Sequence, residues 1–329
     1  MSRSIHRRTF LTGVATLAVA TAVPAARAAA ASRVTTAFTL PGDRVYPEGI
    51  ALDPRTGDAY VGSYATGAVL RAAPGRRTAE VFLPAGTDGR RTANGLKVDA
   101  AARLWVIDST VGVDVYDLRD RALLARFQVP DDAPRFVNDL AIAPDGTAYL
   151  TDSTRAVVYA VTPADLARAR DRSGSAPLTA RFDLGTVRDP RAPEAFTLNG
   201  IVADPAGRYL LVVDMTGGGL YRIGLTSGVV RRVALHGGDL KHGDGLELAH
   251  GTLWAAHNAV DTVSRWRLGP DATTARRERQ VTDPALQIPT TLARRHGRLL
   301  VVRSQFDKGG PMGPGTPEAP FTVAWLTGI

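Results

Sequence analysis

The chain has 329 residues, 44% of them hydrophobic and 22% charged, with a formal charge of +8; this excludes wholesale disorder and allows a soluble core. It holds no cysteine, which excludes disulfide stapling, a thiol nucleophile and thiolate metal ligands. Its 33 glycines and 21 prolines suit a fold with many turns.

Residues 1–28 have a basic start, an apolar middle and a small-residue end, Ala26-Arg27-Ala28. That is the layout of an export signal. Arg7 and Arg8, followed by Thr9-Phe10-Leu11, point to the bacterial twin-arginine route. The apolar stretch is short for a membrane-spanning helix of about 20 residues. Cleavage after Ala28 is therefore expected, giving a secreted or extracytoplasmic protein without stable membrane insertion. The segment carries Arg3, Arg7, Arg8 and Arg27 and no acid, so the charge of the remainder falls from +8 to +4. Lysines occur only at 97, 241 and 308, and the arginines are scattered rather than clustered with aromatics, which argues against a nucleic-acid face.

Residues 33–40, RVTTAFTL, read as a strand. From Glu48 onward one unit recurs. EGIALDPRTGDAYVGS is matched from Asn94 by NGLKVDAAARLWVIDS, from Asn138 by NDLAIAPDGTAYLTDS, from Asn199 by NGIVADPAGRYLLVVD, and from Asp244 by DGLELAHGTLWAAHN. A weaker sixth copy follows Thr290 and Thr291. The steps between anchors are 46, 44, 61, 45 and about 47 residues. The long step contains TPADLARARDRSGSAP (162–177), a helix-like insert with a Gly/Ser tail between the third and fourth units.

Each unit reads as four short strands separated by turn residues, which is the pattern of a propeller blade. One blade cannot bury both faces alone, but stacking around an axis buries them. The sequence predicts an all-β fold over residues 29–329: a single six-bladed β-propeller with four antiparallel strands per blade. Residues 33–40 are expected to close the ring by completing the last blade.

The first strand of each blade lines the central channel. Residues just before these strands converge on one end of it: Glu48, Asn94, Asn138, Asn199, Asp244 and Thr290/Thr291. The returning second strands end at Ser63, Asp108, Asp152, Asp214, His257 and Ser304, on the same rim. Asn-Gly and Asp-Gly are also turn formers. That reading explains Asn94 well and Glu48 poorly, because glutamate does not favour turns. Two carboxylates and two amides facing one axis suit a hard divalent cation, Ca²⁺ before others, since it takes six to eight oxygen ligands. Without an ion the two carboxylates would repel each other. Zinc suits the set less, because it contains no His or Cys.

With these motifs on the page, Pro47-Glu48-Gly49, Val137-Asn138-Asp139, Leu198-Asn199-Gly200 and Gly243-Asp244-Gly245, the chain resembles the SMP-30/gluconolactonase family and the related calcium-dependent diisopropylfluorophosphatase-like propellers. The resemblance covers residues 45 to 325. It implies one divalent cation, Ca²⁺, held at the axis by Glu48, Asn138, Asn199 and Asp244. It also implies a hydrolase of lactones or related esters, with Asp244 as candidate general base or nucleophile and Asp139 as a second candidate. Asn94, Arg135, Asp152 and His257 are the candidate substrate contacts. Family members often carry an arginine two residues before the Asn of the "ND" motif, whereas Arg135 stands three before Asn138. The implied partner is a small-molecule substrate, met by a monomer. The alternative is a non-catalytic propeller that binds a small ligand or a protein around a structural calcium ion. No GxSxG elbow is present to support a serine hydrolase.

Overall fold

The last sheet of the ring is built from both ends of the chain. In the computed structural model, Arg33–Leu40 pairs antiparallel with Phe321–Thr327, from Arg33 opposite Thr327 to Leu40 opposite Phe321. The structure describes Met1 and residues 32–329 apart from Ser173, Pro193 and Glu194; the export-type segment therefore lies outside the described residues. Ser32–Ile329 forms one compact unit.

Six sheets make up this unit. Blade 1 is Pro47–Leu52, Ala59–Ser63, Val69–Ala72 and Glu80–Leu83. Blade 2 is Leu96–Val98, Arg103–Asp108, Gly112–Asp117 and Leu123–Gln128, and blade 3 is Val137–Ile142, Ala148–Asp152, Val157–Val161 and Thr179–Asp183. Blade 4 is Leu198–Ala203, Tyr209–Asp214, Gly219–Gly224 and Val230–Arg232, and blade 5 is Gly243–Ala249, Thr252–His257, Thr262–Leu268 and Thr274–Thr282. Blade 6 is Pro289–Arg295, Arg298–Arg303, Phe321–Thr327 and Arg33–Leu40. Blades 2 and 5 gain a short fifth strand, Ser175–Pro177 and Ala234–His236, each parallel to the edge it joins.

The helical insert forms as α1, Pro163–Asp171. Thr162 caps it: its hydroxyl accepts from the Asp165 amide while the Asp165 carboxylate accepts from the Thr162 amide, a reciprocal capping box with Pro163 at the first helical position. The helix leaves blade 3 before its outermost strand. Leu166 and Ala169 then pack on the apolar layer between blades 2 and 3, and residues 175–177 augment blade 2 on the way back. The insert thus staples two blades together.

Six apolar layers alternate with the six sheets, one between each pair of neighbouring blades. The layer between blades 6 and 1 is made by Leu40, Ile50, Val61, Leu300 and Phe321, residues far apart in the chain. Trp105 and Trp266 are fully enclosed; truncating either to alanine should cost about 3–5 kcal/mol. These layers fix the blade angles, and through them the positions of the inner strands at the axis.

Candidate functional site

In five of the six inner hairpins the strand register slips where the chain enters the blade: between Pro47 and Ile50, Val137 and Leu140, Leu198 and Ile201, Gly243 and Leu246, and Pro289 and Leu292. A bulge re-aims side chains at a strand end. The residues inside these slips are Glu48, Asn138 with Asp139, Asn199, Asp244, and Thr290 with Thr291. Blade 2 pairs regularly from Leu96 onward, with Asn94 just ahead of its first strand.

The glycines that follow these residues are not turn glycines. Gly49, Gly95, Gly200 and Gly245 all lack a positive φ. They are small because the next blade's backbone presses on them. A Cβ on Gly49 would stand 2.1 Å from the Asn94 carbonyl oxygen, and one on Gly95 would stand 2.7 Å from the Asp139 Cα. On Gly200 it would stand 2.2 Å from the Asp244 carbonyl oxygen, and on Gly245 2.8 Å from the Thr291 Cα. Hydrogen bonds reinforce one of these contacts and join one further pair of blades. The Gly95 amide donates to the Asn138 carbonyl at 3.0 Å, and the Thr290 hydroxyl donates to the Glu48 carbonyl at 2.8 Å. Blades 3 and 4 are joined by Asp139, whose Oδ2 accepts from the Ile201 amide, and by the Thr151 hydroxyl, which donates to the Asn199 carbonyl. The inner strand starts thus form a closed, tightly packed ring.

Polar atoms on this ring are buried and partly unpartnered. Glu48, Asn94, Asn138, Asn199 and Asp244 are each at most 6% exposed. Glu48 Oε2, Asn94 Oδ1 and Asn199 Oδ1 have no hydrogen-bond partner. A buried, unpaired oxygen costs about 1–3 kcal/mol, more when charged, so three together call for a ligand. The amide nitrogens point elsewhere: Asn138 Nδ2 donates to Ser153 Oγ at 2.8 Å, and Asn199 Nδ2 contacts Met215 Sδ at 3.4 Å. Asn258 Nδ2 donates to Asp244 Oδ2 at 2.7 Å. These contacts fix the orientation of the oxygens, as outer partners do around metals. Ser153 and Met215 escape sequence reasoning because they lie one residue past the Asp that ends each second strand.

Electrostatics follow from this enclosure. Burial pushes Asp244 up to about 8, against the hydrogen bond from Asn258 and the nearby Asn199 amide and with the charge of Asp139. Burial, then Asp244, then Asp139 hold Glu48 well above the usual carboxylate range, with Lys97 acting against them. Asp139 is likewise raised by burial, which Lys97 and two backbone amides partly offset. Further along the channel, burial pushes Glu247 up to about 7 against Lys97 and Arg294. Lys97 is thus the resident cation near three acids. Its only sequence signal was its place on an inner strand.

The structure brings Glu48, Asn94, Asn138, Asp139, Asn199 and Asp244 together. It gives the other candidates different surroundings. Asp152 is wholly buried and closes its own turn, accepting from the amides of Phe136, Thr154 and Arg155 and from the Tyr159 hydroxyl. Asp108 and Asp214 serve their turns in the same way. His257 is buried with both ring nitrogens engaged, Nδ1 with the Lys241 carbonyl at 2.8 Å and Nε2 with Ser264 Oγ at 2.7 Å. Arg135 is bonded to the carbonyls of Thr110 and Asp131 in neighbouring loops. Asp139 has both carboxylate oxygens on backbone amides, Leu140 and Ile201.

Among the described residues no group of three or more His, Cys, Asp or Glu has metal-binding geometry. The ring is of another kind, since three of its five side chains are asparagine. Such a set of neutral and anionic oxygens fits a hard cation.

No family model matches the sequence, and no curated protein matches it. Solved structures do match in fold. The major allergen Mala s 1 of Malassezia sympodialis is similar at 15% identity, with 88% of this chain and 95% of that chain covered and a TM-score of 0.63. Regucalcin from Agrobacterium tumefaciens, a calcium-binding protein, is similar at 17% identity, with 89% and 95% covered and a TM-score of 0.60. Virginiamycin B lyase from Staphylococcus aureus is similar at 11% identity, with 90% and 99% covered and a TM-score of 0.58. At these identities the likeness establishes the six-bladed propeller.

Proposed function

We propose that this protein is an exported, cation-dependent hydrolase of lactones or related esters, allied to the SMP-30/gluconolactonase propellers. The observation that carries this reading is the ring of buried oxygens at one end of the channel, with Glu48 Oε2, Asn94 Oδ1 and Asn199 Oδ1 unpartnered. Glu48, Asn138, Asn199 and Asp244 would hold the cation, Ca²⁺ by the chemistry of the set, with Asn94 adding a fifth oxygen. The calcium-binding description of the regucalcin neighbour agrees with this choice. When bound, the ion supplies Lewis-acid polarisation of a substrate oxygen.

The chain's own residues do the rest. Glu48 and Asp244 bring two negative charges to balance the ion. In the metal-free ring Asp244 titrates at about 8 and is braced by Asn258. A bound cation would favour its deprotonated carboxylate, the form in which a general base accepts a proton. Hydrolysis adds water across the acyl C–O bond, with the hydroxyl on the carbonyl carbon and the proton on the leaving oxygen. Asp139, tied to two backbone amides, positions the ring rather than touching the substrate.

The test is a panel of lactones and aryl esters assayed with and without EDTA, for the parent chain and Asp244→Asn. Activity should vanish on chelation, return with Ca²⁺, and be lost in the variant. Hydrolysis indifferent to both changes would overturn the proposal.

A further inference from the structure

Arginines scattered along the chain converge on one cleft, between blades 6 and 1. Arg295, His296 and Arg298 come from the turn between the first two strands of blade 6, and Arg76 and Arg77 from the loop between the third and fourth strands of blade 1. The oxygen ring stands where the first strands begin, whereas these connections leave strands at the other end, so the cleft opens on the opposite face of the propeller. Its volume is about 340 Å³, and no Asp or Glu lines it. That volume suits a small ligand.

The charge of the cleft is not neutralised within the fold. The acids on this side of blade 1 are engaged elsewhere: Asp53 by Arg55, and Asp58 and Glu80 by Arg71. Among the described residues no ion pair is made by Arg76, Arg77, Arg295 or Arg298. Arg295 and Arg298 also stand directly opposite each other across their turn. Like charges so placed destabilise an antiparallel pair, and a bound anion would relieve this.

The cations are held in place before any ligand binds. Arg298 lies over the Trp325 ring, 4.1 Å from its centroid. Arg295 reaches across the seam to the first turn of blade 1, where a Cβ on Gly57 would stand 3.1 Å from its Nη2. The loop carrying Arg76 and Arg77 is tied to the closing strand Arg33–Leu40. The Thr39 amide donates to the Arg77 carbonyl and the Ala79 amide to the Thr39 carbonyl, each at 2.9 Å, while Thr39 Oγ1 donates to Thr78 Oγ1 at 3.1 Å. Such preorganisation lowers the cost of binding.

We infer that this cleft binds a small ligand through a diphosphate group. Four guanidinium groups exceed what a single carboxylate balances, and their planar forks match phosphate oxygens in bidentate pairs. Two bridged phosphates offer oxygens to both walls, the Arg76–Arg77 loop and the Arg295–Arg298 turn. The inference is independent of the hydrolase reading, since the cleft lies away from the oxygen ring and needs no cation.

Equilibrium dialysis of the protein against radiolabelled inorganic pyrophosphate, in EDTA, tests this. Arg295→Gln/Arg298→Gln should weaken binding at least about tenfold, the scale of hydrogen bonds to a charged group. Arg76→Gln/Arg77→Gln, on the other wall, should do the same. Arg231→Gln/Arg276→Gln removes the same charge from exposed positions on blades 4 and 5 and should leave affinity within about twofold. Tryptophan fluorescence should change on binding, and the change should be lost in Trp325→Phe. No binding by the parent, an equal loss in all three double variants, sulfate bound as tightly as pyrophosphate, or a fluorescence change retained in Trp325→Phe each overturns the proposal. Competition by ADP distinguishes the source of the group: ADP tighter than pyrophosphate assigns an organic diphosphate, and the reverse order assigns the free anion.

Discussion

Asp244→Asn should stabilise the metal-free protein at alkaline pH, the reverse of what removing a buried hydrogen-bonded side chain normally does. The Asp244 carboxyl titrates at about 8 in the fold against 3.8 for an ordinary aspartate. The folded state therefore binds the extra proton across that window, and stability falls as pH rises through it. At 1.36 kcal/mol per decade, the span from 3.8 to about 8 amounts to about 5 kcal/mol at pH 8. At pH 5 the same arithmetic leaves about 1–2 kcal/mol. Asparagine keeps the acceptor that Asn258 Nδ2 addresses at 2.7 Å but carries no charge. In EDTA the variant should match the parent to within about 4 °C at pH 5 and melt about 10 °C higher at pH 8, using about 2 °C per kcal/mol for a domain of this size. Calcium should narrow the pH 8 difference by about half. At a hundredfold excess over Kd it adds about 2.7 kcal/mol to the parent and far less to the variant. Thermal melts followed by circular dichroism at both pH values, with EDTA and with Ca²⁺, read all four states. A variant less stable than the parent at pH 8 in EDTA, or a calcium shift equal in both proteins, would refute the reasoning.

Gly200→Ala should destabilise the fold by about 3 kcal/mol, the upper range for overpacking, because its Cβ would stand 2.2 Å from the Asp244 carbonyl oxygen. Urea unfolding in EDTA measures this, and an unchanged midpoint would sink the close-approach account of the ring glycines. Export is read from the N-terminus of the protein recovered outside the cytoplasm of a bacterial host with a twin-arginine system. Ala29 is expected first, with the precursor retained when Arg7 and Arg8 are both replaced by lysine. Recovery of an uncleaved chain outside the cytoplasm would contradict the expected processing.

The repeat made the fold legible because each blade copies the same short string, and the 61-residue step marked the insert. The strand 33–40 was readable as ring closure because six units leave one outer strand unaccounted for. The oxygen ring was legible as a set, since Glu48 stands where a turn former was otherwise expected. What the sequence left ambiguous was the reason for each glycine. Asn94-Gly95 reads equally well as a turn, and only the distance from Gly95 to the Asp139 Cα identifies it as a contact between blades. Periodicity gave equal weight to both sets of residues on this rim, although hydrogen bonding separates them. Asp108, Asp152 and Asp214 spend their oxygens on nearby amides, whereas Glu48, Asn94 and Asn199 retain one without a partner. Asp214 Oδ2 also lacks a hydrogen bond, but Arg191 stands 3.5 Å away to balance it.

This division of labour has a physical basis. A ring tight enough to bring six strand starts together at one end of the channel must exclude side chains from the positions between them, hence glycine at 49, 95, 200 and 245. To hold the proposed cation it would also have to keep its oxygens from collapsing onto nearby donors. Asn138 is prevented from doing so by Ser153, which takes its amide nitrogen, and Asp244 by Asn258, which takes only one of its two carboxylate oxygens. The turns that hold Ser153 and Asn258 in place are closed by Asp152 and by the Asn258 amide bond to the His242 carbonyl. The outer set of polar residues therefore acts on the inner one through backbone geometry. Replacing an outer aspartate should alter cation affinity through the orientation of the inner oxygens, without removing any of them.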